Sequence, residues 1–132
     1  MLRRTLLAGA LLSSAAVAGS ATSVQASEPL PTAIACYQAS TNAKDIDAYL
    51  ACFTADAEMI DVSRTFNGHE AIRTWALREV IPQGDAFTHR KILDSKPGYA
   101  QTEVKWLSWV VHYIYWWNDD GRITKMSLQY AN

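Results

Sequence analysis

The chain has 132 residues and a formal net charge of −1 at pH 7. This length allows a single domain. Nothing in this charge balance suggests nucleic acid or an acidic surface as a partner. The sequence also contains no Gly-rich phosphate loop, nucleophile elbow or nucleic-acid-binding motif, so nucleotide-dependent and nucleic-acid-directed functions are not expected.

The N-terminal stretch has the composition of an export signal. Arg3 and Arg4 form a positive start, and an Ala/Leu-rich apolar run follows that is too short to span a membrane as a helix. Residues 24–26 offer a small-residue cleavage site. We therefore expect a signal peptide over residues 1–26 and a periplasmic or secreted mature domain over residues 27–132, with no stable membrane span after cleavage. The arginine pair also fits a twin-arginine signal, so both that route and the Sec route stay open.

Two short helices are predicted at the start of the mature domain. Residues 32–41 carry an apolar stripe that includes Tyr37. Asp45 is a good N-cap for a second helix, whose stripe extends to Phe53. Because the link between the two helices is tight, they should form an antiparallel hairpin.

The two cysteines of the sequence both fall in this hairpin. Cys36 and Cys52 lie at similar distances from the link, so they sit at the same level of the hairpin. Each is about 100° around its helix from the apolar stripe, so the two side chains face either towards each other or apart. In an oxidising compartment such a pair is a candidate disulfide, and the sequence leaves the bonded and unbonded states open.

The histidines show no spacing typical of metal ligands, so we predict no metal site. Arg90 and Lys91 follow His89, which is therefore expected to be solvated. His69 opens the third predicted helix, where a cation is unfavourable, and is expected at the surface. No feature of the sequence indicates a bound cofactor.

A carboxylate interrupts the first predicted strand. Residues 58–63 alternate, and Asp61 shares a face with Met59. A carboxylate in the middle of a β-prone run is either an exposed or paired residue, with Arg64 or Arg73 as its partner, or a buried acid with a chemical task.

The remaining elements define the fold class. A third helix is predicted over residues 69–80, and strands over residues 87–96, 99–106, 110–117 and 122–130. Helices followed by consecutive strands predict an α+β fold, with three N-terminal helices packed on one face of a curved antiparallel β-sheet.

The strand over residues 110–117 is apolar on both faces. A sheet buried on both sides requires a second layer, and this chain has no spare helix to provide one. We therefore predict a homodimer, with scattered exposed apolar residues as the alternative. The predicted interface is the outer face of this strand: Val110, His112, Ile114 and Trp116.

The order and spacing of several short motifs resemble the nuclear transport factor 2-like superfamily, in particular its SnoaL-like members. The resemblance covers the mature domain and implies a cone-shaped fold of three helices on a curved sheet. The matching positions are Tyr37 with the link at residues 42–45, the run at residues 53–57, Asp61, Gly68, Ala71, Ile72, Trp75 and the closing run at residues 120–123.

Within that superfamily the spacing is most similar to ketosteroid isomerase. The resemblance implies that Tyr37 donates a hydrogen bond to a substrate oxyanion and that Asp61 shuttles the proton. The position of the second oxyanion donor, a neutral carboxylic acid in that enzyme, is Tyr113 here. A phenol can still donate a hydrogen bond, although it departs from the family's pattern.

The predicted site lies between the helices and the sheet. It is mostly apolar with a few polar groups, which is the usual character of a small-molecule site. Its predicted walls are Met59, Trp75, Trp106, Tyr115, Met126, Leu128 and Tyr130.

Three functions fit this site. The first is cofactor-free proton transfer beside a carbonyl group of a small hydrophobic compound, as in an isomerase, cyclase or dehydratase. The second is non-catalytic binding of a small hydrophobic ligand in the periplasm. The third is a dimerising interaction module with a filled cone. A cavity with Asp61 and Tyr37 poised together favours chemistry, whereas a cavity with Asp61 held in an ion pair favours binding.

Overall fold

The structure is a computed structural model that describes residues 29–131, so the predicted signal peptide lies outside the described residues. The described chain forms three α-helices, one 3-10 helix and six β-strands. In chain order they are α1 (Thr32–Asn42), α2 (Ile46–Ala51), β1 (Phe53–Asp61), β2 (Arg64–Asn67), α3 (Gly68–Glu79), the 3-10 helix Ile81–Ala86, β3 (Phe87–Lys96), β4 (Tyr99–Trp106), β5 (Trp109–Trp117) and β6 (Ile123–Tyr130).

The first two helices form the predicted hairpin. Pro31 precedes α1, where a missing backbone N–H costs nothing, and the Asp45 side chain caps α2 by accepting from the Ala48 backbone N–H at 3.1 Å. The predicted end of the second helix is wrong: α2 stops at Ala51, and Phe53 opens β1. Phe53 pairs there with Ile123 of β6, and this long-range pairing overrides the local apolar spacing.

A disulfide joins the two helices. Cys36 on α1 and Cys52 at the end of α2 are bonded, with their Cα atoms 5.9 Å apart. The side chains of this pair therefore face each other rather than apart. The disulfide fixes a helix of only six residues against its neighbour. A helix so short has little stability of its own.

The first strand differs most from its prediction. β1 starts five residues earlier than expected, and the chain then turns at Val62 and Ser63 into β2, a strand that the sequence did not predict. Val62 adopts a left-handed backbone conformation with φ 59°. A β-branched residue rarely adopts this conformation. Gly or Asn is the usual sign of such a turn, and neither is present here, so the sequence did not indicate it.

The six strands form one sheet in the order β2-β1-β6-β5-β4-β3. The α+β class is confirmed, with the helices packed against the sheet. The sheet is mixed rather than wholly antiparallel, because β1 and β6 run parallel. Their register sets Met59 beside Met126 and Asp61 beside Leu128.

An aromatic cluster fills the space between the helices and the inner face of the sheet. Tyr37 of α1 is its centre: the ring centroid lies 5.1 Å from that of Tyr49, 5.3 Å from that of Phe87 and 5.7 Å from that of Tyr115. All four side chains are buried. The ring contacts of Tyr37 hold α1 directly against β5, and α2 packs on α1 through Tyr49.

The outer face of β5 is half-buried within the single chain. Lys125 lies 5.0 Å from the ring centroid of Trp116, and the Gln101 amide contacts Nδ1 of His112 at 3.3 Å. Long polar side chains therefore cover part of the apolar face that suggested a dimer. Among the described residues, no helix has both the length and the apolar character needed to cross a bilayer.

Candidate active or ligand-binding site

A cleft of about 300 Å³ opens at the end of the sheet that carries the β1–β2 and β4–β5 turns. Val62 and Leu107, which lie in these two turns, both line it. This volume is at the lower end of the range for small-molecule sites.

Aromatic side chains form much of the cleft wall. Trp75 from α3 and Tyr113 from β5 are buried, whereas Trp106, Trp109 and Tyr130 are partly or largely exposed. The cleft therefore grades from a buried aromatic interior to an exposed aromatic edge. Flat aromatic walls favour flat or ring-containing ligands.

Asp61 lines the cleft as a member of an ionic cluster. Its Oδ2 accepts hydrogen bonds from the Arg64 guanidinium and from Nε1 of Trp75, the latter at 3.2 Å. Arg64 also donates two hydrogen bonds to Glu79, from Nη1 to Oε2 at 3.0 Å and from Nη2 to Oε1 at 2.7 Å. Arg64 thus joins two carboxylates across the cleft edge.

The charges in this cluster reinforce one another. The hydrogen bond from Arg64 is the main cause that lowers the pKa of Glu79 to about 2, against the opposing effect of burial, and Arg78 contributes in the same direction. The bonds to Glu79 and Asp61 in turn raise the pKa of Arg64. Arg64 therefore remains charged and Glu79 ionised at neutral pH.

Three tyrosines lie behind the cleft. The Tyr49 hydroxyl donates to the Tyr37 hydroxyl at 3.1 Å, and the Tyr37 ring meets the Tyr113 ring edge-on with centroids 5.9 Å apart. Burial is the main cause that raises the pKa of all three phenols, and the negative charge of Asp61 adds to it for Tyr37 and Tyr113. Each therefore stays a neutral phenol that can donate a hydrogen bond. Of the three, Tyr113 lines the cleft.

No protein-family model matches the chain, and no curated protein sequence does. Solved structures do match. A SnoaL-like protein of unknown function from Burkholderia thailandensis superposes with a TM-score of 0.66 at 17% identity, over 79% of this chain and 98% of that chain. A putative polyketide cyclase from Sinorhizobium meliloti superposes with a TM-score of 0.61 at 23% identity, over 76% of this chain and 95% of that chain.

The chain has the SnoaL-like, nuclear transport factor 2-like fold. A third structure, a Mycobacterium tuberculosis protein in complex with estradiol-17β-hemisuccinate, agrees, with a TM-score of 0.64 at 16% identity over 73% of this chain and 88% of that chain. The fold predicted from the sequence is therefore confirmed. At such low identities the similarity establishes the fold alone, because one fold hosts many unrelated activities.

Within this SnoaL-like fold, only part of the predicted site comes together at the cleft. The predicted residues that line it are Asp61, Tyr113, Trp75, Trp106, Leu128 and Tyr130. Tyr37, Met59, Tyr115 and Met126 do not line it and are fully buried.

Direct packing explains why these four lie in the core. Tyr37 lies against Tyr115, so α1 covers the part of β5 that the sequence analysis had placed on the pocket wall. Met59 and Met126 are neighbours in the β1–β6 register and fill the adjoining interior. The cleft therefore lies at the turn end of the sheet, beyond this packed core.

Several residues that line the cleft are not predicted from the sequence. Arg64 was considered as a partner of Asp61 but not as a wall residue, although it lines the cleft. Glu79 follows Trp75 by four residues on α3 and therefore lies on the same helical face, which is a usable signal that it points to the same space. Trp109 alternates with Tyr113 on one face of β5, which was also a usable signal. Val62 and Leu107 carried no signal as wall residues, because both lie in turns that lack Gly and Asn.

His89 is not solvated, contrary to expectation. Its Nδ1 lies 2.8 Å from Oε1 of Gln38, which also accepts from the His89 backbone N–H, and its Nε2 lies 2.9 Å from the Tyr115 hydroxyl. Because one amide oxygen accepts both bonds, Nδ1 carries the proton and Nε2 accepts from the phenol. Burial lowers the pKa of His89 to about 4.

The other two histidines are also bound to neighbours. Nε2 of His69 lies 3.0 Å from the Phe53 carbonyl, and His112 contacts Gln101 on the outer face. Within residues 29–131, no group of three or more His, Cys, Asp or Glu side chains is placed to hold a metal ion.

Proposed function

We propose that this chain binds a small, apolar, ring-containing molecule in the cleft and does not convert it. The observation that carries the proposal is the position of Arg64. Its guanidinium holds Asp61 and Glu79 together, so the one predicted base is engaged in an ion pair and bonded to Trp75. A carboxylate whose Oδ2 already accepts two hydrogen bonds is poorly placed to take a proton from a ligand.

The cleft walls suit this class of ligand. A ring inserted beside Trp75 and Tyr113 would leave water for a mostly aromatic surface, which is favourable in proportion to the apolar area buried. The neutral Tyr113 phenol supplies one polar contact and can donate to a carbonyl or hydroxyl oxygen of the ligand. The estradiol hemisuccinate bound by the Mycobacterium tuberculosis protein is a ring compound of this kind.

Tyr113→Phe should weaken ligand binding by about fivefold to tenfold, since a neutral hydrogen bond contributes about 1 kcal/mol. A thermal-shift screen of apolar ring compounds with a carbonyl or hydroxyl group would supply the ligand, and calorimetric titration would measure the loss. The matched control is Tyr115→Phe, which removes a hydroxyl that bonds His89 outside the cleft.

The control variant should keep the affinity of the wild type. Equal losses in the two variants would show that the cleft phenol has no special role. A screen in which no apolar ring compound stabilises the protein would remove the support for ligand binding altogether.

Proton transfer beside a carbonyl group is the second candidate. Asp61 and Tyr113 line the same cleft, and the raised pKa of the Tyr113 phenol, caused mainly by burial, includes a smaller contribution from the charge of Asp61. In this reading Asp61 is the base, Tyr113 holds the oxyanion in place of Tyr37, and Arg64 must release Asp61 first.

The two candidates differ in one measurement. With the ligand found by the screen, the binding proposal expects no turnover by the wild type. A catalytic base would give turnover that Asp61→Asn lowers by about 100-fold or more. Turnover that survives Asp61→Asn would exclude Asp61 as the base.

We also propose that the chain is exported to the periplasm or secreted. The arginine pair and apolar run of residues 1–26 support this location. The disulfide between Cys36 and Cys52 is consistent with it, because disulfides persist mainly in oxidising compartments. Cell fractionation of the expressed full chain tests the location, which a purely cytosolic product would contradict.

A homodimer through the outer sheet face is proposed on the apolar composition of β5. Ile114 lies at the centre of this face, opposite Gln101 on one side and Ser127 on the other. Sedimentation of the wild type and of Ile114→Lys tests the interface, because a buried unpaired charge would separate the copies. A wild type that sediments as a monomer at high concentration would contradict the dimer.

A further inference from the structure

We propose that the edge of the cleft docks on the surface of an anionic lipid bilayer. Exposed large apolar side chains are concentrated there. Of the seven in the described chain, which also include Leu77, Leu93 and Val110, four line the cleft. These four form what we call the mouth rim: Val62, Leu107, Trp109 and Tyr130.

Two residues of the mouth rim lie at the tips of turns in an unusual backbone conformation. Val62 has φ 59° and Leu107 has φ 58°, and each side chain is 41% exposed. Gly or Asn would adopt this left-handed conformation more easily. Both turns therefore expose a bulky apolar side chain to solvent. The backbone conformation favours Gly or Asn at these positions, and the side chains are not needed to fill the core.

The other two residues are of the type found at membrane surfaces. The rings of Trp109 and Tyr130 lie 6.0 Å apart and are 56% and 61% exposed. Trp and Tyr have an apolar body and a polar group, so they are enriched where hydrocarbon meets water. Together with the two turn tips they form a shallow apolar surface around the opening.

Local charge at the mouth rim favours an anionic bilayer over a neutral one, although the chain as a whole carries no net positive charge. Arg64 lines the same cleft, and Lys105 donates to the carbonyl of Leu107 in the rim turn at 3.1 Å. The nearby carboxylates of Asp61 and Glu79 are both bonded to arginine, and Arg78 contributes one more positive charge. The side chains beside the mouth rim therefore include three cations, Arg64, Arg78 and Lys105, and two carboxylates, Asp61 and Glu79. The sum is one net positive charge, which attracts anionic headgroups.

A bilayer is the occupant that these observations fit together. The apolar side chains come from separate turns and strand ends, interfacial aromatics stand beside them, and cations border them. Docking in this orientation would hold the cleft opening against the lipid, so an apolar ligand could pass between bilayer and cleft without crossing water. That transfer rests on the proposed ligand binding, whereas the docking does not.

The test measures binding of the full chain to vesicles of phosphatidylcholine and phosphatidylglycerol, mixed at roughly three to one so that the surface is anionic. Val62→Asn with Leu107→Asn removes two rim side chains, and Asn tolerates their backbone conformation. The matched control is Leu77→Asn with Leu93→Asn, whose side chains are 43% and 41% exposed and do not line the cleft. All variants carry the same N-terminal stretch.

We expect the rim variant to bind the vesicles at least tenfold more weakly, which corresponds to about 1.4 kcal/mol, and the control to bind as the wild type does. Brominated lipid chains should quench part of the tryptophan fluorescence of the wild type. The quenched part should be absent in Trp109→Phe, which would place the mouth rim itself in the bilayer. Docking that persists when no ligand binds would leave the proposal intact and remove only the proposed function.

Three outcomes would overturn the docking. In the first, rim and control variants bind the vesicles equally well. In the second, brominated lipid fails to quench Trp109, so that another part of the chain makes the contact. In the third, the rim variant separates copies of the chain in sedimentation but keeps its vesicle binding, which would make the mouth rim a surface for self-association.

Discussion

Replacing both Cys36 and Cys52 by alanine should lower the free energy of unfolding by about 3 kcal/mol, the value expected for a disulfide that closes a loop of this length. The bonded residues are 16 positions apart, and the loop between them contains α2. Without the disulfide, the unfolded chain gains freedom and the six-residue α2 is held by its packing alone. Urea unfolding followed by circular dichroism measures the change.

Reduction supplies the control for this prediction. A reducing agent should destabilise the wild type by a similar amount and leave the double alanine variant unaffected, since that variant has no disulfide to lose. Thiol titration of the unfolded protein reports the bond directly. If the wild type unfolds at the same urea concentration with and without reductant, the disulfide does not stabilise the domain.

Lowering the pH from about 7.5 to about 4.5 should destabilise the wild type by about 2 kcal/mol more than it destabilises His89→Gln. Burial lowers the pKa of His89 from 6.5 to about 4 in the folded state. Below pH 6.5 the unfolded chain binds a proton that the folded chain does not bind until about pH 4. The contribution to stability is therefore complete above pH 6.5 and is lost as the pH falls through this window.

Urea unfolding at several pH values measures this difference, and an NMR titration of the imidazole locates the pKa itself. Tyr115→Phe is the matched control, because it removes a hydrogen bond from the same cluster but keeps the titrating ring. Tyr115→Phe should still lose most of the folding stability that the wild type loses as the pH falls. An identical pH dependence in His89→Gln and the wild type would mean that His89 is not buried as described.

Elements with a strong periodic pattern were predicted well from the sequence. The predicted bounds of β3 and β4 agree with the structure at both ends, since clear turn residues separate them. β2 was missed because Val62 makes its turn without Gly or Asn. The start of β1 was missed because its pairing partner, β6, lies at the far end of the sequence, where no local pattern reports on it.

The site was harder to predict than the fold. Alternation assigned Met59 and Tyr115 to the inner face correctly, but it could not tell a cleft wall from a packed core, since that depends on where α1 lies. His89 was misjudged from its charged neighbours. A register shift between His89 and Lys91 lets His89 point inward while Lys91 is exposed, and such an irregularity leaves no mark in the sequence.

The parallel pairing of β1 with β6 has a consequence for the order of events during synthesis. β6 lies between β1 and β5 in the sheet, although it is the last strand of the described chain to leave the ribosome. The β1–β2 hairpin therefore has no sheet to join until β6 has emerged, and closing so long a loop is slow. The strands β3, β4 and β5 can pair with one another as soon as they emerge, whereas the sheet as a whole is completed only by the last described strand.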